Sequence, residues 1–310
     1  MWLFIGPTLL AGIGQVTLNY SKLIPNSEFV EIGHAPKMKK YSKGFAFILP
    51  IESQLKIIDQ YAKMCDSMIY MTVCETEPVN PCYGILEKYK TIHVPSNFAK
   101  KILEIQFPKI SWKVLHHWSP IPIPKSIERV QEYIFYTIGN VIDPRKNIKG
   151  ILDAFIRCNF PNARLVIKAT CNREVPWKIP GVEVINGLIS DYEIEKIHER
   201  CHCYINCSHS EGVGMGAVEA ALHNKPVIIA DYGGLNEYVK TPWVVQCAKG
   251  PIGFDDFLFT HDLNWGFPDG NQLQRCMRDC YEKKVTEWDH SWTRELVGKV
   301  QEELNNACTV

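Results

Sequence analysis

The segment 208–239 constrains the fold more than any other part of the chain. It reads SHSEGVGMGAVEAALHNKPVIIADYGGLNEYV, with glycines at positions 212, 214 and 216. The apolar run that follows suits a buried helix up to about residue 223, and the proline at 226 stops it. Residues 227–230 then read as a short buried strand, and glycines 233 and 234 make a second turn. The pattern predicts a glycine-rich loop that leads into a helix of an α/β sheet.

Two glutamates bracket this loop, Glu211 before it and Glu219 after it, with seven residues between them. Glycines let the backbone approach a ligand closely, and the start of a helix favours a phosphate group. Carboxylates accept hydrogen bonds from hydroxyl groups. The loop therefore suits a ligand that carries both phosphate and polyol groups, such as a nucleotide sugar. The alternative is an ordinary strand-turn-helix with two solvated glutamates.

The ordered pattern E-G-x-G-x-x-x-x-E-A, K-P-V-I and G-G-x-x-E resembles the donor site of the family-four retaining glycosyltransferases, which have the GT-B fold. The resemblance implies that Glu211 binds the hydroxyls of the transferred sugar and that Glu219 holds the ribose. It also implies same-face attack, in which the donor phosphate helps to take the proton of the acceptor. The matching residues are Glu211, Gly212, Gly214, Glu219, Ala220, Pro226, Val227, Ile228, Gly233, Gly234 and Glu237.

A second motif, R-K-N at 145–147, is similar to the diphosphate-binding segment of the same family. Lys146 matches the lysine of that segment, whereas Asn140 stands where the family usually has an arginine. Arg145 supplies the missing charge, or diphosphate binding is weaker. Fixed cations are needed here because the leaving diphosphate gains negative charge as the glycosidic bond breaks. The alternative is two solvated basic residues at a helix start, where the dipole disfavours cations.

Further residues follow from the resemblance. Glu75 comes just after a predicted strand, where the family commonly has a histidine or an acidic residue that touches the sugar. We therefore take Glu75 as a second catalytic candidate. The alternative is that Glu75 is a solvated loop glutamate. Gly12 and Gly14 match the family's first glycine loop, and 186–188 match the segment against which the nucleobase packs. The expected donor-binding set is Gly12, Gly14, Arg145, Lys146, Asn186, Gly187, Leu188, Gly212, Val213, Gly214, Met215, Gly216 and Glu219.

Composition narrows the remaining classes. The formal net charge is zero, so nothing in the overall charge favours nucleic acid or an anionic membrane. The apolar N-terminal run is too short to span a bilayer and lacks the features of a signal peptide. The twelve cysteines are scattered, which suits a reduced compartment. The tightest group, at 201–207, lacks a second ligand pair at zinc spacing, so we expect no metal site.

Strands alternate with helices along both halves of the chain, which predicts an α/β protein with two Rossmann-like parallel-sheet domains facing across a cleft. The prolines at 120, 122 and 124 indicate a stiff linker. We therefore expect an acceptor-side domain at 1–125 and a nucleotide-sugar domain at 126–290. A C-terminal helix at 291–310 is expected to pack back across the domains.

These features together predict a retaining glycosyltransferase (EC 2.4 type) that moves a sugar from a nucleotide-diphosphate donor to a glycan or other hydroxyl acceptor. No D-x-D motif is present, so we expect neither a metal nor another cofactor, and no nucleic-acid partner. The expected location is the cytoplasm, or the host cytoplasm if the source is viral. Two other classes remain: a non-catalytic sugar-nucleotide or glycan-binding protein on the same fold, and a nicotinamide dehydrogenase. The latter is weakened by Thr17, which replaces the third glycine of the dinucleotide fingerprint.

Overall fold

The computed structural model describes residues 1–9, 12–125, 131–171, 173–256 and 258–307. Within these residues the chain forms two six-stranded parallel sheets and one two-stranded antiparallel hairpin. The expectation of two Rossmann-like parallel sheets is confirmed. The chain separates into two compact units, one around each parallel sheet.

The first unit comprises Met1–Pro120, Ile252–Leu263 and the chain from Glu295 onward. Its strands pair in parallel in the order β2-β1-β3-β4-β5-β6. They are β1 (Trp2–Gly6), β2 (Ser27–Glu31), β3 (Lys43–Phe47), β4 (Met68–Met71), β5 (Thr91–Val94) and β6 (Ser111–Val114). Its helices include α1 (Gly12–Lys22), α2 (Glu52–Ala62) and α3 (Asn97–Gln106), with a 3₁₀ segment at Pro81–Lys88.

Two distant segments complete this unit. Leu258 packs against its apolar core, and the backbone carbonyl of Leu258 accepts a hydrogen bond from the Asn80 side chain at 3.3 Å. Further along the chain, the Glu303 carboxylate lies 2.9 Å from Nδ1 of His116. The sequence did not suggest that 252–263 belongs with the first sheet, since that segment follows the strands of the second.

The second unit comprises Ile121–Pro251 and Asn264–Arg294. Its parallel strands lie in the order β12-β11-β10-β7-β8-β9. They are β7 (Tyr133–Gly139), β8 (Ala163–Ala169), β9 (Val182–Ile185), β10 (Cys203–Asn206), β11 (Val227–Ala230) and β12 (Val244–Val245). Its helices are α4 (Ile148–Cys158), α5 (Asp191–Arg200), α6 (Met215–Leu222), α7 (Leu235–Tyr238) and α8 (Gly270–Glu282), with a 3₁₀ turn at Pro144–Lys146.

The strand order of the second sheet reverses at β7. The chain leaves β7 toward β8 and β9 on one side, whereas β10, β11 and β12 lie on the other. Strands β10 and β11 are buried along their whole length, as expected for parallel strands covered on both faces. Because the order reverses between β7 and β10, the loops after these two strands lie at the position where parallel sheets typically bind ligands.

Two local features were not expected from the sequence. Strands β13 (Cys247–Pro251) and β14 (Asn264–Pro268) form an antiparallel hairpin. The C-terminal stretch, expected as a single helix at 291–310, contains two helices, α9 (Ser291–Gly298) and α10 (Val300–Asn306). The division falls at Lys299, directly after Gly298, and glycine is the residue that loses most backbone freedom in a helix.

Several histidines are buried, and His202 allows their effect on stability to be tested. Its Nδ1 accepts a hydrogen bond from the Ile134 backbone at 2.8 Å. Burial, together with repulsion from Lys225 and Lys284, lowers the pKa of His202 to about 4. The unfolded chain therefore takes up this proton near pH 6.5 and the folded chain only near pH 4. The stability that the neutral ring contributes is present above pH 6.5 and is lost as the pH falls toward 4.

We expect His202→Asn to reduce this acid sensitivity, because asparagine keeps an acceptor for Ile134 N–H but does not protonate. The loss in unfolding free energy between pH 7 and pH 5 should be about 1–2 kcal/mol smaller in the variant than in the parent protein. Urea denaturation at both pH values measures this. Equal losses in the two proteins would show that His202 does not carry the effect.

Candidate functional site

The candidate site of the second unit lies where the loops after β7 and β10 meet. The β7 loop, residues 140–147, carries Arg145 and Lys146 on its 3₁₀ turn. The β10 loop, residues 207–214, carries Glu211 and leads into α6. The two loops are joined through their backbones, because the His209 amide donates to the Arg145 carbonyl at 2.7 Å. The Asn147 side chain adds a hydrogen bond to the Cys207 carbonyl at 2.9 Å.

Glu211 is the centre of this junction. It is 6% exposed. Lys146 Nζ lies 2.7 Å from its Oε1, and an Arg145 guanidinium nitrogen lies 3.2 Å from its Oε2. The Ser208 hydroxyl also donates to Oε1, at 2.7 Å. The structure therefore brings together Glu211, Arg145 and Lys146, which the sequence selected on separate motifs.

The environment of Glu211 keeps its carboxylate ionised. Burial by itself would raise the pKa of Glu211, but the charges of Lys146 and Arg145 and the hydrogen bonds of Lys146 and Ser208 outweigh burial. The result is a pKa well below the usual range. At neutral pH this group accepts hydrogen bonds and does not supply a proton.

The second glycine turn supports Glu211 from behind. The Gly234 amide donates to the Glu211 carbonyl at 2.8 Å. Gly233 has a positive φ of 102°, and a Cβ there would lie 2.6 Å from that same carbonyl oxygen. Only glycine tolerates both the backbone conformation and the close approach.

Two positions of the first turn require glycine, each for a different local reason. Gly214 precedes α6 with a φ of 77°, in the left-handed region. A Cβ on Gly216 would lie 2.4 Å from the hydroxyl of the buried Tyr204. The backbone amides of Met215 and Gly216 donate to no acceptor within the described part of the chain. These two amides at a helix start are suited to an anion.

Glu219 lies about one turn into α6, with its side chain 34% exposed. Its carboxylate accepts no hydrogen bond from the residues that the structure describes, and Nε2 of His198 lies 3.9 Å from its Oε2. Glu219 therefore has free acceptor capacity at the surface of the second unit. Gly212 and Val213, the remaining loop residues of the expected set, are buried between the two glutamates.

Asn186, Gly187 and Leu188 line a cavity of about 430 Å³ together with Cys171, Arg173 and Glu174. The Asn186 side chain is held by two hydrogen bonds with the Val175 backbone. Lys168 is buried and donates to the Gly187 carbonyl at 2.6 Å, and burial lowers the pKa of Lys168. The segment after β9 is thus fixed with Leu188 78% exposed.

The other predicted residues lie in the first unit. Gly12 and Gly14 belong to the first turn of α1, and Glu75 follows the carboxyl end of β4 and is half-buried. A Cβ on Gly14 would lie 2.2 Å from the Thr8 carbonyl oxygen, so close packing of α1 against the exit of β1 by itself requires this glycine. The ligand-binding roles of these three residues stay predictions.

The described residues contain neither a metal-ligand cluster nor a membrane-spanning helix. No group of three or more histidine, cysteine, aspartate or glutamate side chains in the described ranges is placed to hold a metal ion. None of the helices among these residues has both the length and the apolar character that a membrane span requires. Metal independence and a cytoplasmic location stay predictions.

Comparison with known proteins shows what part of the second unit resembles. Residues 132–251 match the family model described as "Glycosyl transferases group 1". This range contains both loops of the site and the cavity beside Leu188. This segment of the second unit is therefore similar to the group 1 glycosyltransferases.

Solved structures support a GT-B fold for the chain. The Anabaena protein HepE, solved with UDP and glucose, is 14% identical with a TM-score of 0.68, and the alignment covers 98% of each chain. The lipopolysaccharide outer core galactosyltransferase WaaB is 12% identical with a TM-score of 0.63, covering 99% of this chain and 98% of WaaB.

A third structure, the pneumococcal O-GlcNAc transferase GtfA with UDP and GlcNAc, is 12% identical with a TM-score of 0.58. The alignment covers 87% of this chain, which spans only 57% of GtfA. A search of curated proteins by sequence finds no match.

Three features of the candidate site in the second unit were not predicted from the sequence. Ser208 contacts Glu211 directly, and its place three residues before the glutamate was the available signal. Arg173 and Glu174 line the cavity, but they lie in an irregular segment that no periodicity identifies. The support from β14, where the Gly266 amide donates to the His209 carbonyl at 2.9 Å, depends on pairing between residues distant in the chain.

We expect Gly216→Ala to destabilise the protein by about 1–3 kcal/mol, because the new methyl group meets the Tyr204 hydroxyl in a packed interior. Urea denaturation measures the effect. The control is the same substitution in a Tyr204→Phe background, where the colliding oxygen is absent and the cost should shrink. An equal cost in both backgrounds would exclude this contact as the cause.

Proposed function

We propose that the protein is a retaining glycosyltransferase that uses a nucleoside-diphosphate sugar and needs no metal ion. The observation that carries the proposal is the buried Glu211 carboxylate, held by Lys146, Arg145 and Ser208 in a loop that opens onto the free amides of α6. The Glu211 carboxylate, which suits sugar hydroxyls, thus lies beside two cations and backbone N–H groups, which suit a diphosphate. The family match over 132–251 supports the same assignment.

Each part of the site has a task in this reaction. Glu211 accepts hydrogen bonds from the hydroxyls of the donor sugar and orients its ring. Lys146, Arg145 and the amides of Met215 and Gly216 stabilise the negative charge that grows on the departing diphosphate. Glu219 accepts from the ribose, and the segment 186–188 lies against the nucleobase.

The bond changes need no protein nucleophile. The acceptor oxygen attacks the anomeric carbon from the face that the diphosphate leaves. The bond from that carbon to the β-phosphate oxygen breaks, and the acceptor proton passes to the departing phosphate. Because Glu211 is held ionised, its role is to position the sugar. Glu75 stays a candidate for a second contact to the sugar.

Asn140 favours an alternative, a protein on this fold that binds sugar nucleotides or glycans without transferring a sugar. Its side chain accepts a hydrogen bond from the Ile142 amide at 3.2 Å and so closes the turn where the resemblance expects an arginine. Arg145 compensates for this charge in the proposed enzyme, since its guanidinium reaches the same carboxylate as Lys146. Turnover of a donor separates the two functions.

Nucleotide binding is the first test. The panel contains UDP, GDP, ADP, CDP, their sugar conjugates and NAD. We expect one of the nucleoside diphosphates to raise the melting temperature of the protein, equally with magnesium and with EDTA. Lys146→Met should weaken binding of that nucleotide roughly tenfold, because a charged contact to phosphate is lost. The matched control is Lys149→Met, an exposed lysine on α4, which should bind as the parent does. No shift with any nucleotide diphosphate would contradict the proposal.

Transfer is the second test. Glu211→Gln should lower kcat at least about 100-fold while the Kd of the free nucleotide changes only a few-fold, because the lost contact is to the sugar. Glu195→Gln, an exposed glutamate on α5, serves as the matched control and should keep full activity. Rates are measured as release of the nucleoside diphosphate in the presence of acceptor, and NMR of the product reports whether the anomeric configuration is retained. Unchanged turnover in Glu211→Gln would overturn the role of this residue.

A further inference from the structure

His198 lies next to Glu219, and the reaction described above makes no use of it. The residue belongs to α5 and is 1% exposed. Its Nε2 lies 3.9 Å from Oε2 of Glu219 and has no hydrogen-bond partner within the described ranges. A buried ring nitrogen that is aimed at a carboxylate without reaching it is uncommon, because buried polar atoms are nearly always paired.

The contact at the other ring nitrogen bears on the tautomer of His198. Its Nδ1 lies 2.9 Å from the hydroxyl of Tyr136, which is fully buried on β7. Burial raises the pKa of Tyr136 well above 10, so the phenol keeps its proton. When this hydroxyl donates to Nδ1, the hydrogen of a neutral ring is on Nε2 and faces Glu219. The opposite tautomer would turn a lone pair toward the carboxylate.

The ring has little freedom to leave this orientation. His223 stacks on His198 with centroids 4.9 Å apart and planes 10° apart. Tyr136 meets the ring edge-on at 5.5 Å. Glu219, by contrast, is 34% exposed and has no other fixed contact through its carboxylate. A small rotation of the glutamate closes the remaining distance, whereas the histidine stays where its neighbours hold it.

We propose that His198 is a positioning residue that fixes the Glu219 carboxylate for the 2′- and 3′-hydroxyls of the donor nucleoside. The proposal rests on the proposed function, in which Glu219 binds the ribose. A flexible surface glutamate must be ordered before it grips a diol, which weakens binding. Tyr136 and His223 hold His198 in place. Its N–H, as a fixed hydrogen-bond donor, removes much of the free-energy cost of ordering Glu219. His198 thus acts through Glu219 and does not touch the ligand.

The test compares the affinity of the protein for a nucleotide that carries the ribose diol with its affinity for a nucleotide that lacks the diol. The probe is the nucleoside diphosphate selected by the thermal-shift panel, measured beside its 2′,3′-dideoxy analogue by calorimetry. We expect the parent protein to prefer the ribonucleotide, and His198→Leu to reduce that preference roughly tenfold, with the dideoxy affinity unchanged. In a Glu219→Ala background, His198→Leu should have no further effect on the ratio.

Two conservative variants separate positioning from structural support. His198→Gln places an amide N–H near the former Nε2 and should restore most of the preference. His198→Asn carries the same amide but ends one bond short, and should behave as His198→Leu. This pair also serves if the leucine variant does not fold.

Each other result overturns the proposal in a distinguishable way. An unchanged ratio in His198→Leu, or equal loss of affinity for both ligands, would reduce His198 to a structural residue. A parent protein that binds both ligands equally would remove the ribose role of Glu219 while leaving the diphosphate site intact. A parent protein that binds no nucleoside diphosphate would remove the proposed function itself.

Discussion

The pairing of Glu211 with Lys146 and Arg145 is the interaction on which the candidate site depends. Removing a carboxylate from water costs several kcal/mol, and the cost is met only when opposite charges and hydrogen bonds are fixed around it. Here the two cations come from the loop after β7, while Glu211 and Ser208 come from the loop after β10. Charge neutralisation therefore connects two loops that belong to neighbouring strands of the sheet. The same groups that make burial of Glu211 tolerable are those that a diphosphate would need.

The backbone around Glu211 is also held in place by close contacts. Gly233 leaves room for the Glu211 carbonyl, and the Gly234 amide binds it. Gly216 leaves room for Tyr204, whose hydroxyl bridges to the β7 backbone at Ile138. The loop is thus rigid because its neighbours fill the space that side chains would occupy. A preformed loop of this kind avoids ordering cost when a ligand binds.

Much of this was predictable from the sequence, for identifiable reasons. The alternation of apolar strands with amphipathic helices is a local property, so the two parallel sheets followed from it. The spacing of Glu211 and Glu219 around a glycine loop is also local. What the sequence did not reveal depends on contacts between distant residues. The hairpin of β13 and β14, the Tyr204 hydroxyl beneath Gly216, and the tyrosine and histidines behind Glu219 belong to different elements that only the folded chain brings together.

The segmental makeup of the first unit has a consequence for how the protein is made. During translation, residues 1–120 are synthesised well before residues 252–263 and 295–307. Until then the core of the first unit lacks Leu258, the Asn80 side chain lacks its carbonyl acceptor, and His116 lacks Glu303. The first sheet is therefore synthesised first but is completed last, after the whole second sheet has emerged. A genetic fragment that ends at residue 120 contains every strand of that sheet without the segments that cover it.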